Sequence, residues 1–579
     1  MHPLVVRPLA LSSPALLLTT SRRASSVASD AIVAVAAARA APDPSAFLLQ
    51  GSFFLSRRMF LHWLGGVFVV ANLVALRQNK ALIGERGILP ASDWIARGRA
   101  AGEGFWQRPT FFWWLPGERG SSGTVVDRWL DAHAVIGLLL ATPLLVTGKG
   151  SACQLFLLWA LYTSLSAVGQ IWYSFGWESL LLETSFVAIF LCPLRPWTSA
   201  GAAFAPPPVG VWACRWLLFR VMLGAGLIKL RSSDPCWKDL TAMDYHYETQ
   251  PIPNPLSRTL HRAPKAWHRV ETWIGLWAVE VIAPFLLLLP GAGATALGAL
   301  GAGLRSASAL LQLTFQGVLI LSGNLAFLNW LTIAPALMCI DDGLWTRLLP
   351  GLGEWAPPAA SMMGQRHTTA RMLPPWLPPW LSMPTAVQAM FAAVIIRASV
   401  PVAANLCSSR QRMNTCFGPW KIVNTYGAFG TVTKRRFEVE LQGTRAEFPA
   451  DGDVGWRPYE FVAKPGDPAR SPRWLSPYHL RLDWLAWFLP FSSWRSSAWL
   501  APFVSKLLEN DAQVSALLAR DGGNPFLADG GGPPRWVRAV LYEYHFSSEH
   551  ENGADYWTRE YCREWMPPQS KARSGARRG

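Results

Sequence analysis

The side chains best suited to chemistry crowd into one short stretch. Asp234, Cys236, Trp237, Lys238, Asp239, Asp244, Tyr245, His246, Tyr247 and Glu248 fall between Asp234 and Glu248. Pro251, Pro253 and Pro255 follow. Proline lacks the N–H that a helix needs and biases its predecessor toward extended geometry. On an extended strand Asp244, His246 and Glu248 share one face, and Tyr245 and Tyr247 share the other. A carboxylate–imidazole–carboxylate face is the chemistry of a metal site or of proton transfer. A loop network of hydrogen bonds uses the same residues and is the plainer expectation. We therefore assign no catalytic residue, no metal and no cofactor.

A second set of charges lies in apolar sequence. The segment Val209–Leu230 carries Arg220 and ends on Lys229, with Arg231 just beyond it. Nine residues on a helix turn through two and a half turns, so Arg220 and Lys229 face opposite ways. Lys229 with Arg231 is expected to snorkel to the headgroups. An arginine inside a membrane faces the bundle and needs a partner. Glu178, Glu183 and Glu280 are the carboxylates within reach of such a role. A structural Arg–Glu pair is the expectation, and a transport or proton path is the sharper alternative. Trp177 and Glu178 open another apolar run, where acids favour a helix start.

These charges need elements to hold them. Of 579 residues 51% are hydrophobic, 16% are charged and 31 are Trp. Low charge with abundant Trp fits a chain that crosses a bilayer several times. The net charge of +16 raises nucleic acid as a partner. No recognition module accompanies it, so we expect none, and basic cytoplasmic loops explain the charge. Residues 1–54 read as a tail or targeting segment. Residues 55–404 read as a multipass helical domain with polar loops at 77–131 and 231–272. Apolar runs there suggest between five and nine spans, several of them short of the ~20 residues a span requires. The first run follows Arg57 and Arg58, which favours a cytoplasmic start. An odd number of spans then places the C-terminal part in the lumen. Gly343–Met383 is rich in Pro and Trp and reads as an interfacial connector.

The pattern changes after Asn405. Trp420–Leu441, Trp456–Ala463 and Val537–Phe546 carry strand signals, and Ser476–Phe488 and Ser505–Leu518 carry helical ones. The fold class is therefore a multipass α-helical membrane protein with a C-terminal soluble, strand-rich α+β domain at 405–566. A basic tail covers 567–579. Eight cysteines are present. Cys236, Cys407, Cys416 and Cys562 lie outside apolar runs, where one or two disulfides are expected if the compartment is oxidising. H-E-x-x-H, G-x-S-x-G, Walker and dinucleotide motifs are absent from the sequence.

Longer phrases identify a family. YSFGWESLLLETSFVAIFL, LGAGLIKLRS, DPCWKDLTAMDYHYETQPIPNPLS, VNTYGAFGTVTKRRFEVELQGT, GWRPYEFVAKPGDP, SPYHLRLDWLAWF and the NPF of Asn524–Phe526 closely resemble the lipase maturation factor family. The resemblance runs from about Met59 to Trp565. It implies a non-enzymatic, multipass protein of the endoplasmic reticulum membrane. Such a protein assists folding, assembly and secretion of client lipases or other secretory proteins, with membrane lipids as its other partners. The resemblance also makes the Asp234–Glu248 loop and the C-terminal domain candidate client-holding regions. A membrane-embedded enzyme or transporter using the intramembrane charges and the Asp244/His246/Glu248 loop is the alternative. Oligomeric state is not legible.

Overall fold

A computed structural model describes residues 52–115, 123–194, 204–290, 296–355, 383–448, 455–520, 522–527, 529–548 and 555–571. The expected targeting segment, most of the Pro- and Trp-rich connector and the end of the basic tail lie outside the described residues.

Among the described residues six helices are long and apolar enough to cross a membrane. They are α1 (Phe54–Ile83), α3 (Gly123–Thr147), α6 (Pro208–Arg231), α9 (Lys265–Leu287), α10 (Ala296–Ser322) and α13 (Met383–Cys407). Shorter apolar helices fill the bundle between them: α4 (Ala152–Val168), α5 (Gly176–Leu191) and α11 (Leu328–Leu337). At 1.5 Å per residue α5 is about 24 Å long, short of a full span, and it carries Glu178 and Glu183. Residues 77–131 are less loop-like than expected. α1 runs on to Ile83, α2 (Ala91–Ala100) follows, and α3 begins at Gly123. Trp94 of α2 packs against the Trp113 ring, 5.7 Å between centres.

The loop 231–272 is also helical: α7 (Met243–Thr249), α8 (Ser257–His261) and the start of α9 occupy it. Residues Ile274–Ile282 of α9 form a π-helical stretch, which rotates Glu280 relative to a plain α-helix. After α11 comes α12 (Asp342–Leu348). Its Asp342 carboxylate accepts from the backbone N–H groups of Phe54 (2.8 Å), Leu55 (3.0 Å) and Ser56 (3.2 Å). The orphan donors of the first span are thus satisfied from 288 residues away.

The C-terminal part is a four-stranded antiparallel sheet in the order β2-β1-β3-β4. The strands are β1 (Arg436–Thr444), β2 (Arg457–Pro458), β3 (Trp536–Phe546) and β4 (Trp557–Gln569). Arg436 pairs with Tyr544 and Thr444 with Trp536 in the β1–β3 register. Three short helices accompany it, α14 (Arg481–Ala486), α15 (Leu500–Leu508) and α16 (Ala512–Ser515), of which α15 packs on β3 and α16 on α1 and α15. The sequence pattern places β3 almost to the residue. It misses β4, because charged and apolar residues there follow no strict alternation, and it overestimates Trp456–Ala463, of which two residues pair. Residues 422–435 are irregular chain rather than strand, for a reason given below. All eight cysteines are free, which corrects the expected disulfides.

Candidate functional site: a polar seam inside the bundle

Two of the three bundle carboxylates, Glu183 and Glu178, each grip a different piece of the C-terminal chain, and the third, Glu280, pairs within the bundle. Glu183 is 1% exposed and ion-pairs with the Arg220 guanidinium. It also accepts from the Asn424 backbone N–H (2.9 Å), the Asn424 side-chain amide (3.1 Å) and the Tyr426 hydroxyl (2.7 Å). Arg220 donates in turn to the Asn424 carbonyl at 2.7 Å. Residues 423–426 are therefore held by side chains of α5 and α6 together with an isolated antiparallel bridge between Asn424 and Cys416, where the Thr425 N–H donates to the Thr415 carbonyl at 3.0 Å, and the pairing does not extend into a sheet.

Glu178 holds the second piece. It is fully buried and accepts from Arg481 at 2.7 Å and from the Tyr162 hydroxyl at 2.5 Å. Arg481 also donates to the Trp172 carbonyl at 2.6 Å and lies 3.5 Å from the centre of the Tyr173 ring. Gln78 of α1 completes the clamp. Its amide donates to the His479 carbonyl (2.8 Å), and its oxygen accepts from the Arg481 N–H (3.1 Å). A third anchor lies near α11. The Asn324 side chain bonds the Arg473 carbonyl and the Leu475 and Ser476 N–H groups, and Trp330 donates to the Ser476 hydroxyl.

Lys229 does not snorkel. Its ammonium is 2.5 Å from Glu280 and 4.6 Å from the centre of the Trp237 ring, with 8% of the residue exposed. Gly226, one turn earlier, lets α6 approach the π-helical stretch: a Cβ there would lie 3.0–3.2 Å from Val281 and Glu280. That close approach is what brings the carboxylate to Lys229. The opposed directions of Arg220 and Lys229 give two separate pairs.

The Asp234–Glu248 stretch folds differently from the extended expectation. Met243–Thr249 is helical, so Asp244 and Glu248 share a face and His246 points away from it. Asp244 bonds His268 at 2.8 Å. His246 meets the Phe429 ring edge-on at 5.0 Å. Glu248 accepts from the Phe546 N–H at 2.9 Å. Tyr247 donates to Glu271 at 2.5 Å, and the Tyr245 ring lies 5.7 Å from the Lys434 ammonium. Asp234 caps Cys236 (3.0 Å) and accepts from the Val432 N–H (2.7 Å). Cys236 and Trp237 pack with Ala242, Leu276 and Val432, and Asp239 is exposed. Among the described residues no group of three His, Cys, Asp or Glu is placed to hold a metal.

This loop, too, meets the C-terminal chain. Arg436 at the start of β1 is fully buried and donates to the carbonyls of Glu248 (2.8 Å), Gln250 (2.6 Å) and Pro251 (3.2 Å) and to Glu438 (2.5 Å). Pro251 has a role here beyond stopping α7: the chain leaves the helix and presents successive carbonyls to one guanidinium. The sequence reading missed Arg436, Arg481, Asn424, Tyr426, Tyr162 and Gln78. All but Gln78 and Tyr162 lie within the family phrases quoted above. Tyr162 meets Glu178 16 residues away; the bundle partners of the other five are 185 or more residues distant, and no local period marks any of them.

Two consequences are measurable. A Cβ on Gly224 would sit 2.5 Å from the Tyr426 carbonyl oxygen, a backbone atom that cannot swing aside. Gly224→Ala is expected to cost about 1–3 kcal/mol and to expose residues 408–435 to protease at temperatures where the parent chain resists. The second concerns pH. Burial holds the His479 imidazole down to about 4, against 6.5 in an unfolded chain. Its Nδ1 accepts from the Trp177 indole at 3.3 Å. The unfolded chain therefore binds the extra proton first. The stabilisation is complete above about pH 6.5 and is lost as pH falls toward 4. His479→Gln keeps an acceptor for Trp177 and does not titrate. Its melting temperature, followed by tryptophan fluorescence, is expected to fall less across that window than the parent's.

Comparison with known proteins places these two halves together. The profile described as "Lipase maturation factor transmembrane domain" matches residues 55–347, and "Lipase maturation factor C-terminal domain" matches residues 422–567. The chain is similar to Lipase maturation factor 1 of Mus musculus, with 44% identity over 92% of this chain and 90% of the relative. It is equally similar to the Bos taurus protein, 44% over 90% of each. Identity to the Homo sapiens protein is 42%, over 91% of this chain and 89% of the relative. No solved structure matches. With both halves matched and joined by the seam of Glu178, Glu183 and Arg436, this multi-pass membrane chain belongs to the lipase maturation factor family.

Proposed function

We propose that this chain is a non-catalytic factor of the endoplasmic reticulum membrane that assists the folding, assembly and secretion of client lipases. The observation that carries this reading is the near full-length likeness to proteins named for lipase maturation. The seam supports it, because it presents the C-terminal domain in one fixed relation to the bundle. An aromatic surface beside the seam suits a partly folded client. Trp106 is 74% and Trp114 is 62% exposed, and both rings pack with Phe105, which also touches Trp420. Such rings offer large contact area at low entropic cost.

An enzyme or transporter is the second reading, and no observation favours it. Glu178, Glu183, Arg220, Lys229 and Glu280 are all engaged in ion pairs, and the Asp244/His246/Glu248 face is divided by a helix. The test is secreted lipase activity per unit of lipase protein in cells lacking this gene, with and without the restored chain. Specific activity is expected to fall without the chain, with inactive lipase retained in the endoplasmic reticulum, and to return with it. Unchanged specific activity in its absence contradicts the proposal.

A further inference from the structure

Two buried arginines have no counter-charge bonded to them. Arg215 of α6 and Arg305 of α10 are both 0% exposed. None of the three Arg215 nitrogens has a hydrogen-bond partner. Two of the Arg305 nitrogens have none, and the third reaches only the Leu289 carbonyl at 3.4 Å. The two groups lie within electrostatic reach of each other, of Cys339 and of Asp341. Asp341 spends its carboxylate capping the Leu344 N–H at 3.1 Å. Among the described residues Arg215 otherwise meets rings, Trp212 at 4.9 Å and Phe53 at 5.7 Å. Three other buried arginines behave differently: Arg220, Arg436 and Arg481 each have a carboxylate. Two like charges, desolvated and unbonded, are costly unless an anion joins them.

We propose that Arg215 and Arg305 form a site for a phosphate-bearing anion, the headgroup of an acidic phospholipid. Bidentate contact between guanidinium and phosphate is the strong form of that recognition. Position favours the lipid over a free phosphate. Arg215 lies seven residues into a 24-residue helix, about 10 Å from its end, and an arginine side chain spans much of that distance. The same end carries Arg57 and Arg58, which begin α1 beside Phe53. Basic pockets between helices at the cytoplasmic face are where acidic headgroups bind.

The purified full-length chain in neutral detergent provides the test. Dioctanoyl-phosphatidylglycerol, inorganic phosphate and dioctanoylglycerol are added separately, and melting is followed by tryptophan fluorescence. The phospholipid is expected to raise Tm by about 5 °C, and dioctanoylglycerol to have no effect. A response to inorganic phosphate equal to that of the lipid would keep the anion site and overturn the lipid as its source. Arg215→Met and Arg305→Gln are the variants. In lipid-free detergent each is expected to melt at or above the parent, because an unbonded charge is gone. In phosphatidylglycerol the order reverses. Loss of stability by the same amount in both conditions would show a structural role only. No response of the parent to phospholipid or phosphate, with none co-purifying by mass spectrometry of the native protein, would overturn the proposal. If Arg215→Met does not accumulate, Arg305→Gln alone decides the same crossing.

Discussion

Arg481→Ala is expected to remove the folded protein rather than trim its stability. The guanidinium is the only cation bonded to Glu178 among the described residues, at 2.7 Å with no exposure on either side. Its loss strands a carboxylate in the bundle and frees the Trp172 carbonyl. Breaking a buried pair from one side costs about 3–5 kcal/mol, against a total near 5–15 kcal/mol for a typical domain. The monodisperse yield from membranes is therefore expected to fall at least about tenfold. Arg481→Lys keeps the charge but not the forked reach to Trp172, and falls between. The double change Glu178→Gln with Arg481→Gln leaves no buried charge and is expected to recover more protein than Arg481→Ala. Wild-type yield and melting for Arg481→Ala would contradict the clamp.

The second large effect is at Glu183, where an ordinary rescue experiment is expected to fail. If Glu183 and Arg220 were an isolated pair, exchanging the two charges would restore stability lost in either single variant. The carboxylate is not isolated. It also accepts from the Asn424 N–H, the Asn424 amide and the Tyr426 hydroxyl. An arginine at 183 turns donors onto these donors, and a glutamate at 220 meets the Asn424 carbonyl as a second acceptor. Glu183→Arg with Arg220→Glu is therefore expected to be no more stable than Glu183→Gln or Arg220→Gln alone. Tyr426→Phe removes one hydrogen bond of the set and is expected to cost about 1–2 kcal/mol. Full rescue by exchange would mean that the bonds to residues 424–426 are incidental.

Legibility followed the range of the cause. The spans and β3 were readable because hydropathy and alternation are local properties. Glu183, Arg220 and the need for a partner were readable because an ionised group inside a bilayer is costly wherever it points. Asn424 and Arg481 were not singled out. Their reason for being there is a carboxylate more than 200 residues away, and nothing in the surrounding chain encodes that distance. The error at Asp244–Glu248 has a physical source as well. The extended expectation lets Pro251 act on all the residues before it, but proline constrains chiefly its immediate predecessor. Gln250 absorbs the constraint at ψ 152°, and the helix behind it is untouched. The snorkelling expected of Lys229 fails because a π-helical stretch, which turns Glu280 toward it, leaves no mark in apolar sequence.

The central claim is that Glu178 and Glu183 are docking points for the C-terminal chain. Hydrogen exchange of the intact protein in detergent, read by mass spectrometry over residues 419–430 and 476–488, tests it most directly. Both peptides are expected to be protected in the parent chain. Glu183→Ala is expected to open the first more than the second, and Glu178→Ala the second more than the first. Rapid exchange of both peptides in the parent, or protection that neither variant alters, would contradict the account.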